Sequence, residues 1–495
     1  MNSLSAPSAT THTMQDRAPV PWWLSMLLCG MAGGMGWGIR GQYGHESGAM
    51  MAGLLVSSVI GMLFLRGSDG WGTVRAIAWC TVAIGFGGSE TYGQTIGLTQ
   101  NAHLIGNTSA LVWGMLGLAI KGGLWIGFAG CFLGMGLGGI DYRRREIIAI
   151  MLALPLLYLI GLRLINSPFD PAARQLPWIY FSETWDWKTS GEVKPRLEAW
   201  GGILMAMAGL LFYCGVIRRD RLALRLGIAG LIGGALGFPG GQCLQANHAW
   251  NAEWYRSGFF ATLDPHMNWW NMMEISFGTI MGATLGLIVW MNRHLIHVRS
   301  LSPPVQSFLV DGTLLLIHLP LLSLSEFAGI PWIDALYGIG FCMGVIPLAA
   351  SVASRWWPFF VTMPVLVVPI AGKTVRELVY KTATIAAVPG WLLYFILPMI
   401  VVVLVCIKLK RLSDAGADGR RLGTWLLMSG AWCFFLLNFA FFHFPWPWQP
   451  WTSRTPSGLI YLICIATLTA AAIWCSRTDR ATDMHSVATR TSRLP

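Results

Sequence analysis

Charged residues are scarce in this sequence. Of its 495 residues, 34 are Lys or Arg and 23 are Asp or Glu, so only 12% carry charge. Soluble domains average about 25% charged residues, and a soluble chain of this length needs a polar surface around every domain that it forms. The composition therefore excludes a water-soluble globular protein.

The common signatures of metal, redox and nucleotide sites are also missing. None of the ten cysteines forms a CxxC pair or a spacing that would hold zinc. His45 and Glu46 lack the second His that completes an HExxH motif, and Gly-Lys-Thr at 372–374 follows Val367 where a P-loop needs Gly. We expect no cofactor and no metal. The net charge of +11 comes from short clusters between apolar runs, so no nucleic-acid partner is expected either.

Apolar residues, glycine and tryptophan are abundant instead. Hydrophobic residues make up 54% of the chain, which also has 58 Gly and 26 Trp. Indole rings favour the membrane interface, and glycines at four-residue spacing, such as Gly30, Gly34 and Gly38, let membrane helices pack closely. The sequence predicts an all-α, polytopic integral membrane protein with glycine-rich helix packing.

A membrane-spanning helix needs about 20 apolar residues. The sequence offers fourteen such segments, and 13 to 15 spans are predicted because the fourth is too long for one helix and contains Lys-Gly-Gly at 121–123. The segments are 22–39, 48–66, 71–88, 104–139, 147–165, 199–217, 223–240, 271–291, 307–325, 331–352, 358–371, 386–408, 422–443 and 457–475.

The Lys and Arg clusters predict the orientation, because short cytoplasmic loops are enriched in these residues. The prediction is a flexible tail at 1–20, a transmembrane domain at 21–475 and a cytoplasmic tail at 476–495, in the cell inner membrane with both termini cytoplasmic. One basic loop, 373–381, falls on the outer side and is interpreted as a broken helix lining a cavity.

Five polar or aromatic segments then share the outer side. They are 40–47, 89–103, 166–198, 241–270 and 444–456. Their convergence predicts a polar site that opens to the outside and is built from several loops.

A weak internal repeat points to the same site. Residues 33–42 and 233–242 share Gly, Gly, Gly and Gln at identical offsets, and Gly-Gln recurs at 93–94. Repeat units beginning near 22 and 223 would make Gln42, Gln94 and Gln242 equivalent, and transporter sites often lie at repeat interfaces. The alternative is that glycine-rich helices match by composition alone.

Carboxylates at membrane depth are the strongest candidates for function, because an unpaired charge there costs several kcal/mol. Glu90 follows an apolar helix, while Glu46 and Glu274 begin predicted helices; Arg40 is a candidate counter-ion and His45 adjoins Glu46. The alternative for Glu46 and Glu274 is favourable interaction with a helix dipole.

These residues favour a multi-pass transporter of a small polar solute, such as a sugar or glycan fragment. The predicted substrate-binding residues are Arg40, Gln42, His45, Glu46, Glu90, Gln94, Gln242 and Glu274. Two alternatives stay open: an integral membrane enzyme acting on a glycan or lipid-linked substrate at the outer face, and a membrane subunit that binds partners through tryptophan-rich loops. Membrane lipid and the solute are the expected partners, and assembly as a homo-oligomer or membrane complex stays open.

Overall fold

The structure, a computed structural model, describes residues 20–41, 43–44, 46–88, 92–183, 195–299, 308–333, 357–442 and 450–491. These residues are almost entirely helical and contain no strand; Asp170 and Gln175 form an isolated antiparallel bridge. The predicted all-α class is confirmed.

Eighteen helices follow one another through the described ranges. They are α1 Trp22–Arg40, α2 Glu46–Phe64, α3 Gly70–Gly87, α4 Gly93–Gln100, α5 Thr108–Leu137, α6 Arg144–Ile165, α7 Trp200–Phe212, α8 Arg221–Trp250, α9 Ala252–Tyr255, α10 Gly258–Leu263, α11 Trp269–Met291, α12 Phe308–Phe327, α13 Trp357–Thr362, α14 Pro364–Val375, α15 Ala387–Trp391, α16 Leu397–Asp414, α17 Gly419–Phe441 and α18 Thr455–Thr491.

Within the described residues, ten helical segments are long and apolar enough to cross a membrane. Two more predicted spans correspond to α1 and α3, which are helices of 19 and 18 residues. The predicted segment 331–352 lies almost wholly outside the described residues. The total of about fourteen spans therefore stays a prediction.

Exposed apolar side chains mark the surface that faces lipid. On α8, Ile228, Ile232 and Leu236 are exposed at intervals of four residues and so share one face, and Leu244 is exposed further along the same helix. Sixteen residues of helix cover about 24 Å, which is close to the thickness of a hydrocarbon core, about 30 Å. This stripe, together with the exposed Val112 on α5, is named the lipid-facing belt below.

Glycines bring the central helices into backbone contact. A Cβ atom built on Gly33 of α1 would lie 2.2 Å from the carbonyl oxygen of Gly278 on α11, and one on Gly122 of α5 would lie 2.5 Å from that of Gly234 on α8. Any larger residue would push these helices apart. Contacts at the helix ends, such as Ser25 donating to Gly286, show that α1 and α11 run antiparallel.

The continuity of two helices corrects the sequence analysis. Helix α5 is unbroken through Lys-Gly-Gly at 121–123, so the long fourth segment is a single helix. Helix α8 continues to Trp250, so Gln242 lies inside a helix and not in a turn. Both differences have the same cause: glycine weakens an exposed helix, whereas here close contact with a neighbouring helix stabilises it.

The basic residues collect at one end of the bundle. Arg299 pairs with Asp141, Arg218 pairs with Glu146 at 3.4 Å, and Arg477 lies near Arg66 in a groove. Trp290 donates to the carbonyl of Val20 at the same end, which places the start of α1 there. The α1–α2 turn, α4, α9 and α10 lie at the other end, named the polar-loop end below.

Candidate functional site

Helices α3 and α4 are two separate helices that follow one another along the same side of α5. Helix α3 ends at Gly87, packed against Trp125 of α5, and α4 begins at Gly93 and continues in the same direction beside α5. The ring centres of Tyr92 and Trp125 are 5.9 Å apart. One turn before Trp125 on α5, Lys121 Nζ donates a hydrogen bond to Thr95 Oγ1. Helices α3 and α4 thus lie one after the other along α5, and the interval between the end of α3 and the start of α4 is named the break.

A buried ion pair lies beside this break. Arg40 Nη1, at the end of α1, is 3.4 Å from Glu274 Oε1 in α11 and donates a 2.5 Å hydrogen bond to the hydroxyl of Tyr92. Both charged side chains are at most 3% exposed. The sequence placed these two residues 234 positions apart, and the α1–α11 contact brings them together.

Aromatic rings surround the guanidinium group of Arg40. Its Cζ atom lies 5.1 Å from the ring centre of Trp37, 5.2 Å from that of Tyr92 and 4.9 Å from that of Trp125. Each such contact contributes about 0.5–2 kcal/mol. The rings therefore help the structure to hold a cation away from water.

Glu274 has further partners of its own. Its carboxylate accepts hydrogen bonds from Asn271 Nδ2 at 3.1 Å and from Trp270 Nε1 at 3.3 Å. Asn271 in turn accepts a bond from the Tyr461 hydroxyl at 2.8 Å. A Cβ atom on Gly41 would lie 2.2 Å from the carboxylate, so the α1–α2 turn must have glycine there.

A second cation interacts electrostatically with the same carboxylate. Arg454 directly precedes α18 and is partly buried. Burial lowers the pKa of Arg454, while Tyr461 and Glu274 act in the opposite direction. Two arginines and one glutamate thus share this part of the site.

A second buried ion pair joins α4, α5 and the start of α7. Lys121 Nζ lies 2.8 Å from Glu198 Oε1 and donates a 2.8 Å bond to Thr95 Oγ1; the other oxygen of Glu198 accepts from the backbone amide of Phe181 at 2.8 Å. The sequence analysis treated Lys121 only as a helix break. Its position as the single charged residue of the apolar segment 104–139 was the signal available.

Both ion pairs lie within the depth of the lipid-facing belt. Lys121 follows Val112 by nine residues, which is about 13 Å along α5. Glu274 adjoins Met273, whose carbonyl contacts Gly241 of α8, three residues before Leu244. Charges at this depth require compensation, and by default they indicate function.

Two of the three predicted glutamines are described: Gln94 lies in α4, and Gln242 of α8 contacts α4. Gln94 accepts a 2.9 Å bond from Ser182, and buried Gln242 donates to Thr99 at 2.8 Å and to Gln100 at 3.3 Å. The Oε1 atom of Gln242 is buried with no hydrogen-bond partner among the described atoms. These two glutamines line one short helix, but they do not contact Glu274 in the described structure.

The remaining predicted residues cannot be placed. Gln42, His45 and Glu90 lie outside the described residues, and Glu46 begins α2 with its side chain outside them. Glu90 belongs to the three residues, 89–91, that the sequence places within the break.

The α1–α2 turn also carries polar groups without partners. The hydroxyl of Tyr43, three residues after Arg40, faces Thr374 and Asn438, and neither of these described groups lies in standard hydrogen-bond geometry to it. The side chain of Asn438 in α17 is 1% exposed, and neither its Nδ2 nor its Oδ1 atom is in standard hydrogen-bond geometry with a described atom. A buried polar atom without a partner costs about 1–3 kcal/mol.

The surface of the polar-loop end carries a histidine in an aromatic setting. His248 Nε2 lies 2.8 Å from Asp264 Oδ1, and its ring stacks on Trp269 with centres 4.8 Å apart. Trp269 Nε1 donates to the same carboxylate at 2.6 Å. No group of three or more His, Cys, Asp or Glu in the described part of the chain is arranged to hold a metal ion.

In comparisons with known proteins, no family model, curated protein or solved structure matches this chain.

Proposed function

We propose that this protein is a multi-pass membrane transporter that moves a small polar solute, such as a sugar or a glycan fragment. The observation that carries the proposal is the buried Arg40–Glu274 pair, joined through Tyr92 to the break between α3 and α4. Interrupted helices with charged and polar groups at membrane depth are typical of transporter substrate sites.

Buried polar groups in α8, α17 and the α1–α2 turn support binding of a polar solute. Tyr43, Gln242 and Asn438 each have a buried polar atom without a hydrogen-bond partner among the described residues. Among the described residues, neither the donor nor the acceptor of the Asn438 side chain has a partner in standard hydrogen-bond geometry. A hydroxyl group can serve both, whereas a simple cation or anion serves one of them.

The aromatic rings favour a solute with flat, weakly polar faces. Trp125, Tyr92 and Trp270 lie close to the charged pair, and their ring centres are within about 6 Å of one another where they touch. A sugar presents such faces together with hydroxyl groups, and the neighbouring amides supply hydrogen bonds.

The proposed orientation follows from charge. The basic end, which includes the start of α1, carries Arg218, Arg299 and Arg477, and loops with this composition face the cytoplasm. We therefore place the basic end and both termini in the cytoplasm of a cell with this protein in its inner membrane. The polar-loop end then faces outward, and solute enters from that side.

Uptake into proteoliposomes tests this function. Candidate sugars, amino acids and nucleosides are first screened by the thermal stability of the purified protein, since a ligand that binds only the native state stabilises it. Uptake of a stabilising solute is then compared in wild type, Glu274→Gln and the surface control Glu377→Gln, whose partner is Lys381 at 3.0 Å.

We expect loss of uptake in Glu274→Gln and normal uptake in Glu377→Gln. Equal uptake in both variants and wild type would remove Glu274 from the site, and no uptake of any stabilising solute would argue against transport.

The alternative function is an integral membrane enzyme acting on a glycan or lipid-linked substrate at the outer face. The His248–Asp264 pair favours it, because a carboxylate that orients an imidazole is a common general-base arrangement. An enzyme would release a new product in detergent without any gradient and would lose that activity in His248→Gln. A transporter would tolerate this substitution and yield no product.

A further inference from the structure

A large groove lies at the basic end, far from the Arg40 site. It runs between α17 and α18 and has a volume of about 930 Å³. Its floor contains Arg66, Arg421 and Arg477, and its walls include Trp425 and Trp432. Neither proposed function uses it.

Two of the three arginines that line the groove form no ion pair within the described part of the chain. Arg421 and Arg477 are exposed and have no ion pair there. The carboxylate in the groove, Asp418, accepts backbone hydrogen bonds from Gly67 at 2.9 Å and from Arg421 at 3.0 Å, so its oxygens cap the start of α17. Lys408 adds a further positive charge, with its Nζ atom 3.7 Å from the ring centre of Trp425.

The groove becomes apolar with distance from the basic end. Arg421, Trp425, Met428 and Trp432 follow at intervals of four, three and four residues, which places them on one face of α17. From Arg421 to Trp432 this face is about 16 Å long. Trp432 is 39% exposed and Ile473 on α18 is 49% exposed, so this part of the groove opens toward lipid.

We propose that the groove binds one anionic phospholipid, with its phosphate on Arg421 and Arg477 and its acyl chains along Trp432 and Ile473. Charge complementarity selects the headgroup, because basic pockets between membrane helices at the cytoplasmic side suit anionic lipid headgroups. The apolar part of the groove, which includes Trp432 and Ile473, favours a lipid. A soluble anion would leave these two side chains uncovered. The volume lies within the range of about 300–1,000 Å³ that is usual for ligand pockets.

The test measures the thermal stability of the detergent-purified full chain during titration with dioleoyl phosphatidylglycerol. Dioleoyl phosphatidylcholine with the same chains controls for nonspecific lipid effects, and inorganic phosphate controls for a soluble anion. The variants are Arg421→Gln with Arg477→Gln, Trp432→Ala, and Arg145→Gln as a matched control. Arg145 is an exposed arginine in the first turn of α6 and does not line the groove.

Phosphatidylglycerol is expected to stabilise wild type and Arg145→Gln with the same midpoint. Each arginine near an anionic lipid contributes roughly a fivefold change in affinity, so the double variant should need about thirtyfold more lipid. Trp432→Ala should weaken binding of phosphatidylglycerol and leave any stabilisation by inorganic phosphate unchanged.

Three results would overturn the proposal: equal stabilisation by phosphatidylcholine, equal stabilisation by inorganic phosphate, or an unchanged midpoint in the double arginine variant. The last result would show that the lipid binds outside the groove. None of these results bears on solute transport, which is measured with different variants.

Discussion

Removing either charge of the Arg40–Glu274 pair should destabilise the protein strongly. Both side chains are at most 3% exposed, so the remaining charge stays buried. Loss of one partner of a buried pair costs about 3–5 kcal/mol. Glu274→Gln should fall near the lower value, about 3 kcal/mol, because Arg40 keeps its three aromatic contacts and its bond to Tyr92.

The double variant separates pairing from simple loss of packing. In Arg40→Met with Glu274→Gln neither partner of this pair keeps its charge, so the double variant should be less destabilised than the sum of the single variants by about 2–3 kcal/mol. Glu377→Gln on the surface is the control and should cost less than about 1 kcal/mol, since Lys381 is 72% exposed.

The assay is reversible unfolding in mixed micelles, followed by tryptophan fluorescence, with wild type, the two single variants, the double variant and the Glu377→Gln control compared under identical conditions. Additivity of the two single substitutions within about 0.5 kcal/mol would refute the reasoning, because it would mean that the two charges do not interact.

Three further predictions concern packing, the second ion pair and pH. Gly33→Ala should cost about 1–3 kcal/mol in thermal unfolding, because the added Cβ would lie 2.2 Å from the Gly278 carbonyl oxygen, and an unchanged melting temperature would contradict the close α1–α11 contact. Lys121→Met should cost about 3–5 kcal/mol by leaving Glu198 buried and unpaired, and Lys121→Met with Glu198→Gln should recover much of that loss in the same assay. Burial raises the pKa of Asp220 above 3.8, so the folded state binds this proton more tightly than the unfolded state, and stability should fall as pH rises through the raised pKa. Asp220→Asn keeps an N-cap residue and should remove that pH dependence, and an unchanged profile of stability against pH would contradict it.

The helical class and the clustering of polar loops could be predicted because they depend on local composition. Charge scarcity and apolar runs predict membrane helices directly. Arg40 and Glu274 were singled out from their charge, and the structure places Arg40 Nη1 3.4 Å from Glu274 Oε1.

The errors arose where tertiary contacts override local preference. Lys-Gly-Gly at 121–123 reads as a break because glycine weakens an isolated helix, yet the contact of Gly122 with α8 holds α5 straight. For the same reason the sequence analysis ended a span at residue 240 and placed Gln242 in the outer segment 241–270, whereas α8 continues to Trp250. The Lys121–Glu198 pair was missed because Glu198 lies 77 residues away, in a loop whose path no sequence pattern determines.

Access to the break from the outside tests the central claim most directly. Gly93, at the start of α4, is exposed, and a Cβ atom there meets no heavy atom within 4 Å, so Gly93→Cys should be tolerated. In a background with Cys243 and Cys342 replaced by Ser, we predict that a membrane-impermeant thiol reagent labels this cysteine in right-side-out vesicles. A solute that stabilises the protein should slow the labelling. Labelling only in inverted vesicles, or labelling that the solute leaves unchanged, would contradict an outward-facing solute site at the break between α3 and α4.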